Sequence, residues 1–272
     1  MGWIGRSMKK TTLLLCLTVL GPACYLFPQG PVRVAAFEYP PLYQNAADPG
    51  LSCEIVVEAF KAAGLEAQVR FYPVSRMVQM VITGEAMCGI GGRILFAEDS
   101  AQVAVEFGSI INYVSQGFLY DERVVTAPID DRALGDLKGY RIGVLAGSGI
   151  MRFLEGTPGL HLVTNLEHEG TAMQLHSRRV DLWAIVDLTG LMYVKQLFPD
   201  EVPFYRFTKP FHNGDVSVVF SKISDPAGNY RQDFERGLTM IKKNGTYMEI
   251  LAKYYKGFGK INRNALALDM RK

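Results

Sequence analysis

From Val32 onward the chain alternates between two hydrophobic periods. Short apolar runs at residues 32–37, 66–72 and 86–90 read as strands, and the stretches 51–63 and 74–83 carry the apolar spacing of helices. Gly64 and Gly84 follow those helices as C-terminal stops. A second unit repeats the rhythm. Residues 117–121 read as a strand, 127–137 as a polar connector, and 140–145 as a strand feeding a helix from Ser148. Strands over 161–164, 181–186 and 216–220 alternate with helices near 169–177 and 188–198. Asp225-Pro226 predicts the N-cap and first position of a long helix ending at Asn244-Gly245. A last helix, 246–255, gives way to a polar tail from Gly257 that is expected to be loose. The whole pattern predicts α/β architecture with a largely parallel sheet.

The residues ahead of Val32 obey a different rule. Met8-Lys-Lys-Thr-Thr-Leu-Leu-Leu-Cys-Leu-Thr-Val-Leu20 has a basic start and an apolar run, followed by Gly21-Pro-Ala23. This is the layout of an export signal over residues 1–23, with an apolar run too short to span a bilayer. Gly21 stands where a lipoprotein signal wants an aliphatic residue, so plain cleavage after Ala23 is expected, a lipid anchor on Cys24 being the alternative. Removing the signal changes the charge. Loss of Arg6, Lys9 and Lys10 leaves 26 basic residues (29 less these three) against 27 acidic ones. With that balance, and with no Lys/Arg run interleaved with aromatics, nucleic acid is not an expected partner. A composition of 49% hydrophobic and 21% charged over 272 residues suits one large domain or two lobes. Two cysteines lie clear of the signal, Cys53 and Cys88. They fall at a helix start and a strand start, ends that lie far apart in a βα unit, so buried thiols are expected and pairing stays open.

Candidate chemistry begins at residues 141–154, RIGVLAGSGIMRFL, where an apolar strand passes through a glycine pair into a helix. Such a junction directs free backbone N–H groups at one spot, which suits a nucleotide phosphate, a catalytic oxyanion or a metabolite carboxylate. Gly147-Ser-Gly149 lacks the Lys-Ser/Thr of a P-loop and the third glycine of a dinucleotide fingerprint. Residues 146–150 miss a nucleophile elbow at both the first and last positions. His161, His168 and His176 have no metal-ligand spacing, so no metal or cofactor is expected.

A family resemblance enters on ordered pieces. They are Phe37-Glu-Tyr-Pro-Pro-Leu42, Gly50-Leu-Ser-Cys-Glu-Ile-Val-Val-Glu-Ala-Phe-Lys-Ala-Ala-Gly64 and Gly84-Glu-Ala-Met-Cys-Gly-Ile-Gly-Gly92. Leu137-Lys-Gly-Tyr-Arg-Ile-Gly-Val-Leu-Ala-Gly-Ser148, Val216-Ser-Val-Val-Phe-Ser-Lys222 and Lys243-Asn-Gly-Thr-Tyr-Met-Glu-Ile-Leu-Ala-Lys-Tyr-Tyr255 follow. Over residues 32–256 the chain resembles the family 3 bacterial extracellular solute-binding proteins, the amino-acid-type receptors of ABC importers, as a divergent member. The resemblance implies a type II periplasmic-binding-protein-like fold, with two α/β lobes, two crossing hinge strands and a ligand cleft between the lobes. The crossings are expected near 112–116 and 212–215. Lobe 1 then covers 31–114 and 215–265, lobe 2 covers 115–214, and 266–272 is a loose tail. The implied partners are a small polar organic ligand (an amino acid or related compound) and an ABC permease. The implied state is a periplasmic monomer without catalytic residues.

The same resemblance nominates site residues. Ser148 and the N–H groups after it match the place where the family holds a ligand carboxylate, and Asp187 matches the acid that pairs with an α-amino group. Tyr39 and Tyr43, flanking Pro40-Pro41, match an aromatic wall. The family's arginine clamp is absent: Phe96 stands at the threonine position and Asp99 at the arginine position. Arg76 and Arg93 are candidates to replace it, and Glu38 is a further contact. Each has an ordinary alternative. Ser148 and Asp187 serve equally as helix caps, the tyrosines as loop aromatics, and the arginines as solvated cations. Two rival functions stay in view: a receptor signalling to a membrane sensor, and an exported dehydratase-like enzyme with Glu38 or Glu98 as general acid.

Overall fold

A computed structural model describes residues 1–2, 30–45, 47–130, 132–256 and 261–271. Beyond Met1 and Gly2, the expected export signal and the lipidation site Cys24 lie outside the described residues. The chain divides into two units, Met1–Gly30 and Pro31–Lys272, and the fold that follows is that of the second.

Strand and helix alternate as the periodicity predicts in β1 (Val32–Ala36), α1 (Leu51–Ala62), β2 (Ala67–Phe71), α2 (Val74–Ile82) and β3 (Cys88–Gly91). A short 3-10 turn, Arg93–Phe96, and α3 (Asp99–Ala104) lead into β4 (Val105–Asp121), a strand of 17 residues. The chain continues with β5 (Arg141–Leu145), α4 (Gly149–Glu155), β6 (His161–Asn165), α5 (His168–His176), β7 (Leu182–Val186) and α6 (Asp187–Leu197). After β8 (Tyr205–Phe207) come β9 (His212–Ser221), α7 (Asn229–Lys243) and α8 (Thr246–Tyr255).

The strands form one sheet in the order β2-β1-β3-β9-β4-β7-β5-β6, with β8 also on β4. Pairs β1–β2, β1–β3, β5–β6 and β5–β7 are parallel, as crossover helices require. The long strands β4 and β9 are antiparallel to each other and to their neighbours. They form the spine, with β1–β3 on one side and β5–β7 on the other. Residues 112–116 pair directly with 212–216, from Asn112↔Val216 to Gln116↔His212, so the chain passes between the two halves side by side. Polar side chains buried in this spine have partners, Ser217 Oγ excepted. Ser52 Oγ donates to Asn112 Oδ1 at 2.9 Å and Ser115 Oγ to Asn213 Oδ1 at 3.0 Å, which offsets their desolvation.

Packing fixes the first half through α1 and α7. Leu51, Ile55, Val56, Ala59 and Phe60 recur at helical spacing and are buried, and Phe60 meets Phe234 of α7 at 5.2 Å between ring centroids. Burying a side chain the size of Phe60 contributes roughly 2–3 kcal/mol. The helices approach so closely at Gly237 that a Cβ there would lie 1.8 Å from the Ala59 carbonyl oxygen. Only glycine fits.

Several expectations need correction. The long helix begins at Asn229, not at Pro226, because Asp225 and Gly228 close a turn (Gly228 N–H to Asp225 O, 3.0 Å) and Gly228 takes a left-handed φ of 67° ahead of the helix. The strand expected over 117–121 is the far end of β4, whose first part carries Glu106, Ser109 and Asn112 and two register shifts that hide the alternation. The described part of the tail is docked, not loose. Ala265, Leu266 and Ala267 are buried, Ala267 N–H donates to the Tyr247 hydroxyl at 2.9 Å, and Asn112 bridges to Leu266. Cys53 and Cys88 are both buried and free. Among the described residues no helix is long and apolar enough to cross a membrane.

Candidate functional site

Where the chain crosses between the halves, a cleft of about 580 Å³ opens, within the range of small-molecule sites. Its floor is the spine itself, through Val114 and Gln116 of β4 and His212, Gly214, Asp215 and Val216 of β9. One wall comes from the loops after β1 and β3, the other from the ends of β5 and β7 and the starts of α4 and α5. Strand ends and helix starts converge here because parallel strands place their C-terminal ends together.

The β1 loop is built to present aromatics. Tyr39 and Tyr43 bridge each other through Tyr39 N–H to Tyr43 O (2.8 Å) and Tyr43 N–H to Tyr39 O (3.0 Å), around a cis Pro40-Pro41 bond. Gly50, with φ 91°, lets α1 start directly beneath this turn, since a Cβ would fall 2.7 Å from the Leu42 carbonyl. Tyr39 and Tyr43 both line the cleft, and burial raises both hydroxyl pKa values well above the usual tyrosine value. For Tyr43 the nearby Asp215 charge adds to the effect.

On the opposite wall, Ser148, Gly149 and Ile150 line the cleft at the start of α4. Ser148 Oγ accepts the Met151 N–H at 3.0 Å, so the residue caps its helix in this structure. Phe153 stacks on Phe211 at 5.4 Å and 8°. His168 sits edge-on to Tyr39 at 6.0 Å and close to Tyr193 and Trp183, an aromatic contact across the cleft. Burial depresses the His168 pKa, and its Nδ1 has no hydrogen-bond partner among the described residues.

The remaining nominated residues lie elsewhere. Glu38 points to solvent outside the lining. Arg76 is exposed and pairs with Glu85 at 2.6 Å. Arg93 stands beside the mouth, its guanidinium 4.5 Å above the Phe107 ring and its Nε 3.7 Å from Asp215 Oδ2, while its neighbours Gly92 and Ile94 line the cleft. Phe96, at the family's threonine position, is fully buried core, and Asp99 is an exposed acid opening α3.

Asp187 is the main departure from expectation. The cleft lining stops at Val186, and the Asp187 carboxylate turns into the contact between the two halves. Its Oδ2 accepts from the Tyr255 hydroxyl at 3.1 Å and from Asn262 Nδ2 at 2.6 Å, and its Oδ1 from Leu188 N–H at 2.7 Å. Burial holds its pKa above the usual carboxylate value, although those three donors pull the other way. Two residues further on, Thr189 Oγ1 donates to the Pro40 carbonyl at 3.0 Å. The start of α6 is thus fastened to the first half of the molecule. An acid with all these donors has little capacity left for a ligand ammonium.

Sequence reasoning passed over the cleft-lining Asp215, Gln116, Phe153 and His212, and weighed His168 only as a metal ligand. Asp215 had a signal: it closes the segment 212–215 expected to cross between lobes.

No protein-family pattern matches the chain, and no curated protein does. Solved structures do. The GluR0 ligand-binding core in complex with L-glutamate superposes with a TM-score of 0.65 at 13% identity, covering 84% of this chain and 99% of that one. The arginine-, lysine-, histidine-binding protein ArtJ from Geobacillus stearothermophilus gives 0.58 at 21% identity, covering 85% and 96%. A histidine kinase sensor domain with similarity to periplasmic binding proteins gives 0.60 at 16% identity, covering 84% and 96%. The chain has their α/β, two-lobed, periplasmic-binding-protein-like fold.

Proposed function

We propose that the protein is an exported solute-binding protein that encloses a small organic ligand between its lobes and presents it to an ABC permease in the periplasm. The observation that carries this reading is the cleft: a cavity of about 580 Å³, floored by the two crossing strands and walled by both lobes. No bond is made or broken in this scheme. Lobe 1 would comprise 31–114 and 215–265, lobe 2 115–214, and the docked residues 266–271 would belong with lobe 1.

A ligand shifts a hinge equilibrium only by the difference in its affinity for the open and closed states. Tyr39 and Tyr43 from one lobe and Ser148, Phe153 and His168 from the other are positioned to supply that difference, since only closure brings them onto one guest. The protein acts as a monomer with one ligand.

Mass spectrometry of material co-purifying with the mature protein, together with a thermal-shift screen of amino acids, amines and organic acids, tests the reading. At least one compound should raise the melting temperature, and Tyr39→Ala should weaken its binding tenfold or more. A screen in which nothing binds and nothing co-purifies would remove the solute-binding role. Once a compound is found, loss of its uptake in cells lacking the protein tests the permease partnership.

A further inference from the structure

Resting on the solute-binding reading, we infer that the cleft selects an organic ammonium ion with an apolar, aromatic-sized body and no carboxylate, held at Asp215. Among the described residues that line the cleft, Asp215 is the single Asp, Glu, Lys or Arg. Its Oδ2 has only loose company: the Arg93 N–H at 3.4 Å and Arg93 Nε at 3.7 Å. Closing the lobes on a neutral guest would strip water from that carboxylate and return at best a neutral hydrogen bond, a costly exchange. An ammonium group on the guest removes the cost through a charge-assisted hydrogen bond.

The rest of the lining suits such a cation. Phe37, Tyr39, Tyr43 and Phe153 all line the space, and aromatic rings carry negative quadrupoles that attract ammonium groups. Ile94, Leu95, Leu145 and Ile150 offer hydrocarbon to an apolar body. A carboxylate on the guest finds no comparable partner. Arg76 is engaged by Glu85 outside the cleft, the arginine position of the resemblance holds Asp99, and Arg93 rests on Phe107. Ser148 Oγ already accepts from its own helix, which is only seven residues long. His168, its pKa lowered by burial, brings a neutral ring rather than a cation.

A charge series on one carbon skeleton decides the matter. Binding of 2-phenylethylamine, 2-phenylethanol, phenylalanine and 3-phenylpropionate is measured by calorimetry on the wild-type protein. The amine should bind at least tenfold tighter than each of the others. Asp215→Asn should bring the amine down to the level of the alcohol, while Asp215→Glu should keep the preference, with melting of the empty variants checking their fold. The wild-type series stands even if a variant fails to fold. Phenylalanine or 3-phenylpropionate binding as tightly as the amine would overturn the proposed ligand class and leave the solute-binding role intact. An amine affinity unchanged in folded Asp215→Asn would also overturn it. Silence from all four compounds overturns the class too, and the solute-binding role falls with it only if the broader screen is equally silent.

Discussion

Two aspartates stand where the halves of this molecule meet, and their surroundings give them opposite roles. Asp187 is 3% exposed, and three donors from α6, α8 and the C-terminal segment converge on its carboxylate. Asp215, on the crossing strand β9, faces the cleft with its side chain 27% exposed, and its carboxylate has Arg93 as hydrogen-bond and ion-pair partner among the described residues. The first ties the halves together; the second is the one we assign to the guest. An acid that already accepts several hydrogen bonds is a structural tie, and an acid under-supplied with donors beside an apolar cleft is a recognition element.

The contrast can be broken most forcefully at Asp187. Replacing it with alanine leaves the buried Tyr255 hydroxyl and the half-buried Asn262 amide without their acceptor, and should destabilise the empty protein by about 2–4 kcal/mol in urea unfolding. An unaffected midpoint would mean the tie does not bear on stability. Tyr255→Phe removes one donor and keeps the carboxylate, so a loss of about 1–2 kcal/mol is expected by the same measurement.

A pH titration sharpens the comparison further. Asp187 has its folded pKa raised above the ordinary aspartate value of 3.8, mainly by burial. The native state therefore holds this proton more tightly than the unfolded chain. Its contribution to stability is fully present below pH 3.8 and is lost as pH rises through the folded pKa. Wild-type stability minus that of Asp187→Asn should fall over that interval and then level off; a difference independent of pH would show that burial does not perturb the group. The smallest effect belongs to Asp215→Asn, expected to change unfolding free energy by no more than about 0.5 kcal/mol while weakening amine binding at least tenfold. A large loss of stability there would make Asp215 a second tie and erase the distinction.

Much of the architecture was legible because it follows from short-range physics. α1, α2 and α8 start and stop within a residue of the bounds expected from apolar spacing and the terminating glycines. β5 and α4 follow from an apolar run, a glycine pair and a capping serine. The first part of β4 was not legible. Its polar residues are satisfied by Ser52, Asn213 and other partners distant in sequence, and its register shifts interrupt the period. The C-terminal segment was misread for a related reason. Its polar composition suggests solvent, yet Asn262, Ala267 and Arg271 spend their hydrogen bonds on Asp187, Tyr247 and nearby carbonyls.

The site divides along the same line. Tyr39, Tyr43 and Ser148 lie at the ends of strands β1 and β5, where local pattern already places them at the sheet's carboxyl edge, and all three line the cleft. Arg76 and Glu38 sit beside such residues in the chain but turn outward.

The sequence by itself determined the alternation of strands and helices, the turns that glycine permits and the edge of the sheet where a cleft forms. These depend on side-chain period and backbone conformation, which neighbouring residues set. Tertiary structure alone decided which carboxylate is consumed and which stays available. Hydrogen-bond satisfaction of a buried charge depends on donors such as Tyr255 and Asn262, 68 and 75 residues away along the chain, and only folding brings them to Asp187.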